Sequence, residues 1–309
     1  MKIIPAADFG RALSWSASIL GPVEVLSDHS KEHGDHESAT CRLRTATGCA
    51  YLKIHHTRAH WNNEVHAYEH WAGVFGDFAP RLLAVHEGEP LALLISELPG
   101  QIVEDLPLPA AQQQAIWRAA GAALRPLHQL GVGESFGPCR RNGSCVEATP
   151  PEASEHVAAR YQQQIELAIQ RDLLTPAELA TLRAAGELIP AFRGERPVPC
   201  HRDYCAANWL INDQGSWSGI IDFEFAYWEV RAADFSRDPN WNWMRRPDLM
   251  QAFFEGYGQP LTALEQQQLC VARAEYALGA ILWGHANAFF GFEQEGRQAL
   301  AYLAGHIGP

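Results

Sequence analysis

The sequence predicts an α+β molecule of two lobes, a small β-rich lobe over residues 1–98 and a larger, mainly helical lobe over residues 99–309. Three observations carry this. Short runs of alternating apolar and polar residues fill much of the first hundred positions. Long stretches rich in Ala, Leu, Gln and Glu dominate the rest of the chain. A single loop, strand, turn and strand segment, VPCHRDYCAANWLINDQGSWSGIIDFEFA, interrupts those stretches. With 309 residues, 47% of them hydrophobic, the chain is long enough to bury a substantial core.

Taken in order, VEVLS reads as a strand, SKEHGDHES as a polar loop, and TCRLRTATGCAYLKIH as two alternating runs about a tight Thr47-Gly48 turn. A helix is expected over 59–71, where Glu64, Tyr68 and Trp71 stand at helical spacing. Two more strands flank Gly88-Glu89-Pro90 and stop at Pro99-Gly100. Helices are then expected over 111–130, 152–173, 176–188 and 261–290, with a Gly/Pro/Ser-rich loop or lid over 131–151. In the interrupting segment, NWLIN and WSGIIDF alternate around Asp213-Gln214-Gly215. That hairpin puts Asn208 at the start of one strand and Asp222 at the end of the next, on one edge.

A formal charge of −12 repels phosphate backbones and anionic lipid, so neither nucleic acid nor a membrane is an expected partner. A cationic small molecule suits it better. The first twenty residues lack a basic, apolar and small-residue leader pattern, and no run reaches the roughly 18 apolar residues of a membrane span, so residence in the cytoplasm is expected. Seven cysteines with no C-x-x-C pair fit free thiols in a reducing compartment, Cys139 and Cys145 included. His55, His56, His60, His66 and His70 are conspicuous, yet no H-E-x-x-H is present, and they are not read as a metal site. The sequence does not fix the oligomeric state.

Phosphoryl transfer asks little covalent help of a protein; it needs a group that orients the attacking hydroxyl and cations that hold the phosphates in line. Asp203 can accept a hydrogen bond from such a hydroxyl, and Asn208 and Asp222 offer the hard oxygens that Mg²⁺ prefers. His201-Arg202-Asp203 with Asn208, followed by a hairpin and Ile221-Asp222-Phe223, resembles the catalytic and metal motifs of the aminoglycoside phosphotransferase and choline kinase branch of the protein-kinase-like superfamily. The likeness extends from about residue 23 to residue 258 and implies the two-lobed kinase-like fold.

That resemblance implies Asp203 as catalytic base, His201 as an orienting residue of the loop, and Asn208 and Asp222 as Mg²⁺ ligands. It implies Lys53, paired with Glu64 (Glu69 as the alternative), as the grip on the nucleotide phosphates. Ser96, Glu97 and Leu98 correspond to the hinge whose backbone reads the base of ATP, and side chains there do not decide between ATP and GTP. His128 and Asp234 match residues expected to brace the catalytic loop. For the acceptor, Glu224, Glu229, Asp238 and Trp228 are the nominated residues, since acids and aromatic faces suit an amine or amino sugar. The sequence departs from protein kinases in three places. SKEHGDHES has one glycine, leaving Ser30, His33 or backbone amides for phosphate contacts; Asp222-Phe223-Glu224 replaces D-F-G; and no A-P-E segment is present downstream. The reading is therefore a small-molecule O-phosphotransferase acting on an aminoglycoside-type acceptor, with a choline, ethanolamine or fructosamine kinase as the alternative and a nucleotide-binding pseudokinase behind it.

Overall fold

The computed structural model describes residues 4–28, 38–104, 106–147, 149–237 and 243–307. Ser30, His33, Asp238 and Trp241 lie outside the described residues. Strands β1 (Glu24–Asp28), β2 (Ser38–Thr45), β3 (Gly48–His55), β4 (Leu82–His86) and β5 (Leu91–Ser96) form one antiparallel sheet in the order β1-β2-β3-β5-β4.

The period-two alternation of β3 sorts its side chains. Leu52 and Ile54 join Cys41, Leu43, Ala92 and Leu94 in a small core that helix α1 (Ala6–Leu20) covers with Phe9, Ala12 and Leu13. Lys53, between them in sequence, is thereby sent to the opposite face. Helix α2 (Arg58–His70) packs there, burying Trp61, Val65 and Tyr68 with Leu91, Leu93 and Ile95. Thr57 caps α2 by accepting the His60 amide at 3.4 Å.

After Ser96 the chain leaves the sheet and enters β6 (Gln101–Ile102), which pairs with β8 (Trp209–Ile211); β8 pairs in turn with β9 (Trp217–Ile220). Helix α3 (Ala110–Gln129) backs this three-stranded sheet and packs on α6 (Pro247–Tyr257). Two glycines permit that closeness. A Cβ on Gly121 would lie 2.0 Å from the Phe253 carbonyl oxygen, and one on Gly256 would lie 1.8 Å from that of Arg118. A second core joins α4 (Ala153–Gln170), α5 (Pro176–Gly186), α7 (Ala263–Ala286) and α8 (Phe290–Ala304) around Tyr161, Leu182, Phe192, Leu278 and Leu300. Strands β7 (Val198–Cys200) and β10 (Tyr227–Glu229) pair antiparallel and flank the hairpin in sequence.

Several elements depart from the sequence reading. Helix α1 begins at Pro5 without a side-chain cap and contains Ser14, Ser16 and Ser18, so its local signal is weak. Helix α6 likewise went unpredicted. The helix expected over 261–290 is two, broken where Asn287 caps α7 and Ala288 turns to φ 53°. The absence of Gly or Pro across Ala286–Phe290 hides that break. All seven cysteines are free, and no helix among the described residues is long and apolar enough to cross a membrane.

Candidate active site

Lys53 on β3 is 4% exposed and sits among three carboxylates. Its Nζ lies 2.5 Å from Asp222 Oδ1, 3.0 Å from Glu64 Oε2 and 3.0 Å from Glu224 Oε2. Burial favours the neutral amine, but Asp222, Glu224 and Glu64 outweigh it and hold the pKa well above the ordinary lysine value. The same ammonium, against the opposing effect of burial, draws Glu224 below the usual carboxyl range, with help from the Ser38 hydroxyl donating to Oε2 at 2.7 Å. His55, Glu64 and Glu224 come close enough to suggest a metal site. The Lys53 ammonium already bridges both carboxylates there.

The 201–208 loop is built around His201. Its Nε2 faces the Ile221 carbonyl at 3.1 Å, which can only accept; its Nδ1 faces the Asp203 amide at 3.3 Å, which can only donate. The ring is therefore the neutral Nε2–H tautomer, and burial lowers its pKa accordingly. Both amide hydrogens of Asn208 go to Asp203, to the carboxylate Oδ2 at 2.8 Å and the backbone oxygen at 2.9 Å. The Asn208 Oδ1 is left as the atom for a cation. Ile221 N–H donates to the Asn208 carbonyl at 3.0 Å, so Asp222 comes directly after a residue tied to both His201 and Asn208.

Two non-glycine residues hold left-handed backbone here, Arg202 at φ 63° and Asp222 at φ 70°. The former is secured by Asp234, whose carboxylate accepts the His201 amide at 2.9 Å and the Arg202 amide as well. The Arg202 guanidinium lies 4.0 Å over the Tyr227 ring, turned to that face. His128 in turn donates Nε2–H to Asp234 Oδ2 at 2.9 Å and accepts the Tyr257 hydroxyl at 2.8 Å. Phe223 is fully buried and contacts both Tyr68 of α2 (5.1 Å between rings) and His201 (4.7 Å), joining the small lobe to the loop.

Ser96, Glu97 and Leu98 lie where the chain passes from the sheet to β6. Ser96 Oγ accepts the Arg81 amide at 2.9 Å, and Glu97 Oε1 accepts Arg42 Nε at 2.7 Å. Leu98 packs over Gly219 of β9.

Other nominated residues sit elsewhere. Glu69 pairs with Arg141, not Lys53, because helical geometry turns it away from the sheet. Glu224 belongs to the Lys53 cluster instead of facing an acceptor. Glu229 is fully buried, bound by Arg160 and by His156 at 3.2 Å; against its burial, the Arg160 guanidinium and the His156 hydrogen bond hold its carboxyl well below the usual range. It faces the helical core, so an acceptor cannot reach it. Trp228 packs edge-on against Trp71 at 5.0 Å and donates Nε1–H to the Gly143 carbonyl at 3.1 Å, a packing role. The 131–151 loop is fastened to α2: Cys139 N–H donates to Asn63 at 3.0 Å, and the Arg141 carbonyl accepts from His66 Nδ1 at 2.9 Å. The His66 ring thereby ties α2 to the loop.

One residue that the sequence reading missed touches Asp203, and two further acids that it missed stand near that residue or the 201–208 loop. Arg237 makes an ion pair with the Asp203 carboxylate. Glu104, whose amide donates to the Ala206 carbonyl at 3.1 Å, stands against the loop. Glu295 of α8 is raised above the usual carboxyl range by desolvation and then by Glu104, with Arg245 and Arg237 opposing. No spacing in the sequence links positions 104, 237 and 295.

Comparison with solved structures finds the same fold at low identity. A thermostable mutant of aminoglycoside phosphotransferase APH(4)-Ia, in ternary complex with ADP and hygromycin B, matches with TM-score 0.72 at 14% identity, over 96% of this chain and 98% of that one. The GDP complex of aminoglycoside 2'-phosphotransferase-IIIa matches with TM-score 0.68 at 13% identity, over 99% and 100%. The gentamicin complex of APH(2")-IIa matches with TM-score 0.63 at 13% identity, over 97% of each. No curated protein sequence matches. The model of the phosphotransferase enzyme family matches residues 31–268, most of the chain and the residues in contact with Lys53 and Asp203; on that match the chain belongs to the phosphotransferase enzyme family.

Proposed function

We propose that the chain transfers the γ-phosphoryl group of ATP to a hydroxyl of a small cationic acceptor of the aminoglycoside type. One observation carries this reading: Lys53 meets Asp222 directly, while Asp203 and Asn208 meet each other one backbone hydrogen bond away. Asn208 Oδ1 and the part-exposed Asp222 carboxylate would hold Mg²⁺, which when bound neutralises phosphate charge. Lys53 would bind the phosphate tail in exchange for part of its present contact with Asp222.

In the transfer, Asp203 accepts the hydrogen bond of the acceptor hydroxyl and aims its oxygen at the γ-phosphorus. The new P–O bond forms as the bond to the β-phosphate oxygen breaks. ADP leaves, and the hydroxyl proton passes to the Asp203 carboxylate. Because Arg237 now occupies that carboxylate, the acceptor hydroxyl must displace or share it. Glu104, on the segment bonded to the 201–208 loop, is the acid that would receive an ammonium of the acceptor, in place of Glu224 and Glu229.

The testing experiment measures ADP release with Mg·ATP across aminoglycosides, choline, ethanolamine and fructosamines. Aminoglycoside-dependent release that is lost in Asp203→Ala supports the reading. Release with choline or a fructosamine alone moves the chain to the metabolic alternative, and nucleotide binding with no release for any acceptor would sink the enzyme assignment.

A further inference from the structure

The rear of the helical lobe holds a pocket that this reaction does not use. Its volume is about 460 Å³, within the roughly 300–1,000 Å³ of small-ligand sites. Arg125 of α3, Arg193 and Arg196 of the segment before β7, and Arg231 after β10 line it, with Glu195 as the single carboxylate. In a chain with formal charge −12, four guanidinium groups around one cavity are a local reversal of sign.

The one acid is already engaged. Glu195 Oε1 accepts Arg231 Nη2 at 2.9 Å and Gln268 Nε2 at 3.2 Å. Arg125, Arg193 and Arg196 have no carboxylate at ion-pair distance among the described residues, and all three are exposed at the pocket rim. Their planar forks match phosphate oxygens in pairs, which a lysine ammonium does not. The floor is polar and fixed: Arg231 and Tyr257 both line it, Tyr257 donates to His128, and His128 to Asp234, which holds the amides of His201 and Arg202. An occupant would therefore rest on the back of the brace that supports Asp203.

We propose that this pocket binds a small anion carrying two or more phosphate groups. The distributed positions of the arginines, on three separate segments around one volume, suit several phosphoryl groups better than one. Free diphosphate and a sugar bisphosphate share this chemistry.

The test is calorimetric titration of the full chain, its cleft saturated with Mg·AMP-PNP, using pyrophosphate in one arm and fructose 1,6-bisphosphate in the other. Each arm is repeated with the Arg193→Ala/Arg196→Ala double variant, whose unchanged melting temperature checks that these exposed replacements leave the fold intact. The expected result is one wild-type site, weakened about 10-fold or more in the double variant and weakened by added salt. The tighter arm identifies the source. Absence of binding in both arms, or equal affinity in wild type and variant, overturns the proposal. If AMP-PNP itself fails to bind, the kinase reading falls, and the variant comparison still decides the pocket.

Discussion

With Nε2 donating to the Ile221 carbonyl and Nδ1 accepting the Asp203 amide, the His201 ring has no place for a second proton. Its role is positional: it fixes the residue carrying the proposed base relative to the residue before the proposed metal ligand. Replacement Asp203→Asn keeps the size of that side chain and removes its basicity. It should lower turnover by about two to four orders of magnitude while leaving Mg·AMP-PNP affinity close to wild type, as ADP release and calorimetry would show. Lys53→Met should act differently, because it strands Glu64, Asp222 and Glu224 in a buried cluster. A loss of about 3 kcal/mol or more is expected, visible as a lower urea midpoint. Equal stability of the variant would contradict the ion cluster.

Acid sensitivity is also set at single residues. The Glu229 pKa is lower in the folded than in the unfolded chain, so its contribution to stability is full above the unfolded value, about 4.3, and fades as the pH falls through the folded one. Wild type should therefore lose melting temperature more steeply than Glu229→Gln between pH 6 and 3, on the order of a few degrees of difference. Parallel curves for the two proteins would remove Glu229 from the account. Asp203, Asn208 and Asp222 were legible in the sequence because a loop and one hairpin bring them together locally. Arg237 was not, because only tertiary packing brings it onto Asp203. The same cause misled the reading of Glu229: an acid near a motif in sequence can face the core, and β10 pairing turns this one inward.

At the scale of elements, β3 and α2 form the half of the site that pattern reading reaches most easily. Strict alternation fixes which face Lys53 takes, and Glu64 of α2 meets it there. The 201–208 loop depends on longer-range support, passing through Asp234 to His128 of α3 and Tyr257 of α6. The α3–α6 contact is thus part of the site's foundation, though it lies behind it. Gly256→Leu would drive a side chain into the Arg118 carbonyl. It should cost at least about 1–3 kcal/mol and reduce activity by misplacing the loop, with thermal unfolding and ADP release measured together; a variant as stable as wild type would show that the helices separate freely. Helix α1 was harder to foresee because a weak local signal is completed by packing on β3, whereas α6 carried its own start and stop signals in Pro247, Asp248 and Gly258.

Over the whole molecule, charge is distributed unevenly in two opposite senses. Around Lys53 and Asp203, the carboxylates of Glu64, Asp203, Asp222 and Glu224 outnumber the cations Lys53 and Arg237. A free triphosphate tail would meet net repulsion there, so removing divalent metal with EDTA should weaken AMP-PNP binding by at least about 10-fold, given the charge neutralisation that a bound cation supplies. Metal-independent affinity would argue against the proposed roles of Asn208 and Asp222. Behind the catalytic loop the sign reverses at the four arginines. The sequence-level net charge of −12 spoke to the first of these and concealed the second.

The central claim is that Lys53, Asp203, Asn208 and Asp222 serve one phosphate tail. A crystal structure of the chain with Mg²⁺ and AMP-PNP tests it most directly. The expected density places Lys53 Nζ on the phosphates, Mg²⁺ between them and the oxygens of Asn208 and Asp222, and the γ-phosphorus facing Asp203. A nucleotide bound with its triphosphate away from these four side chains would contradict the claim.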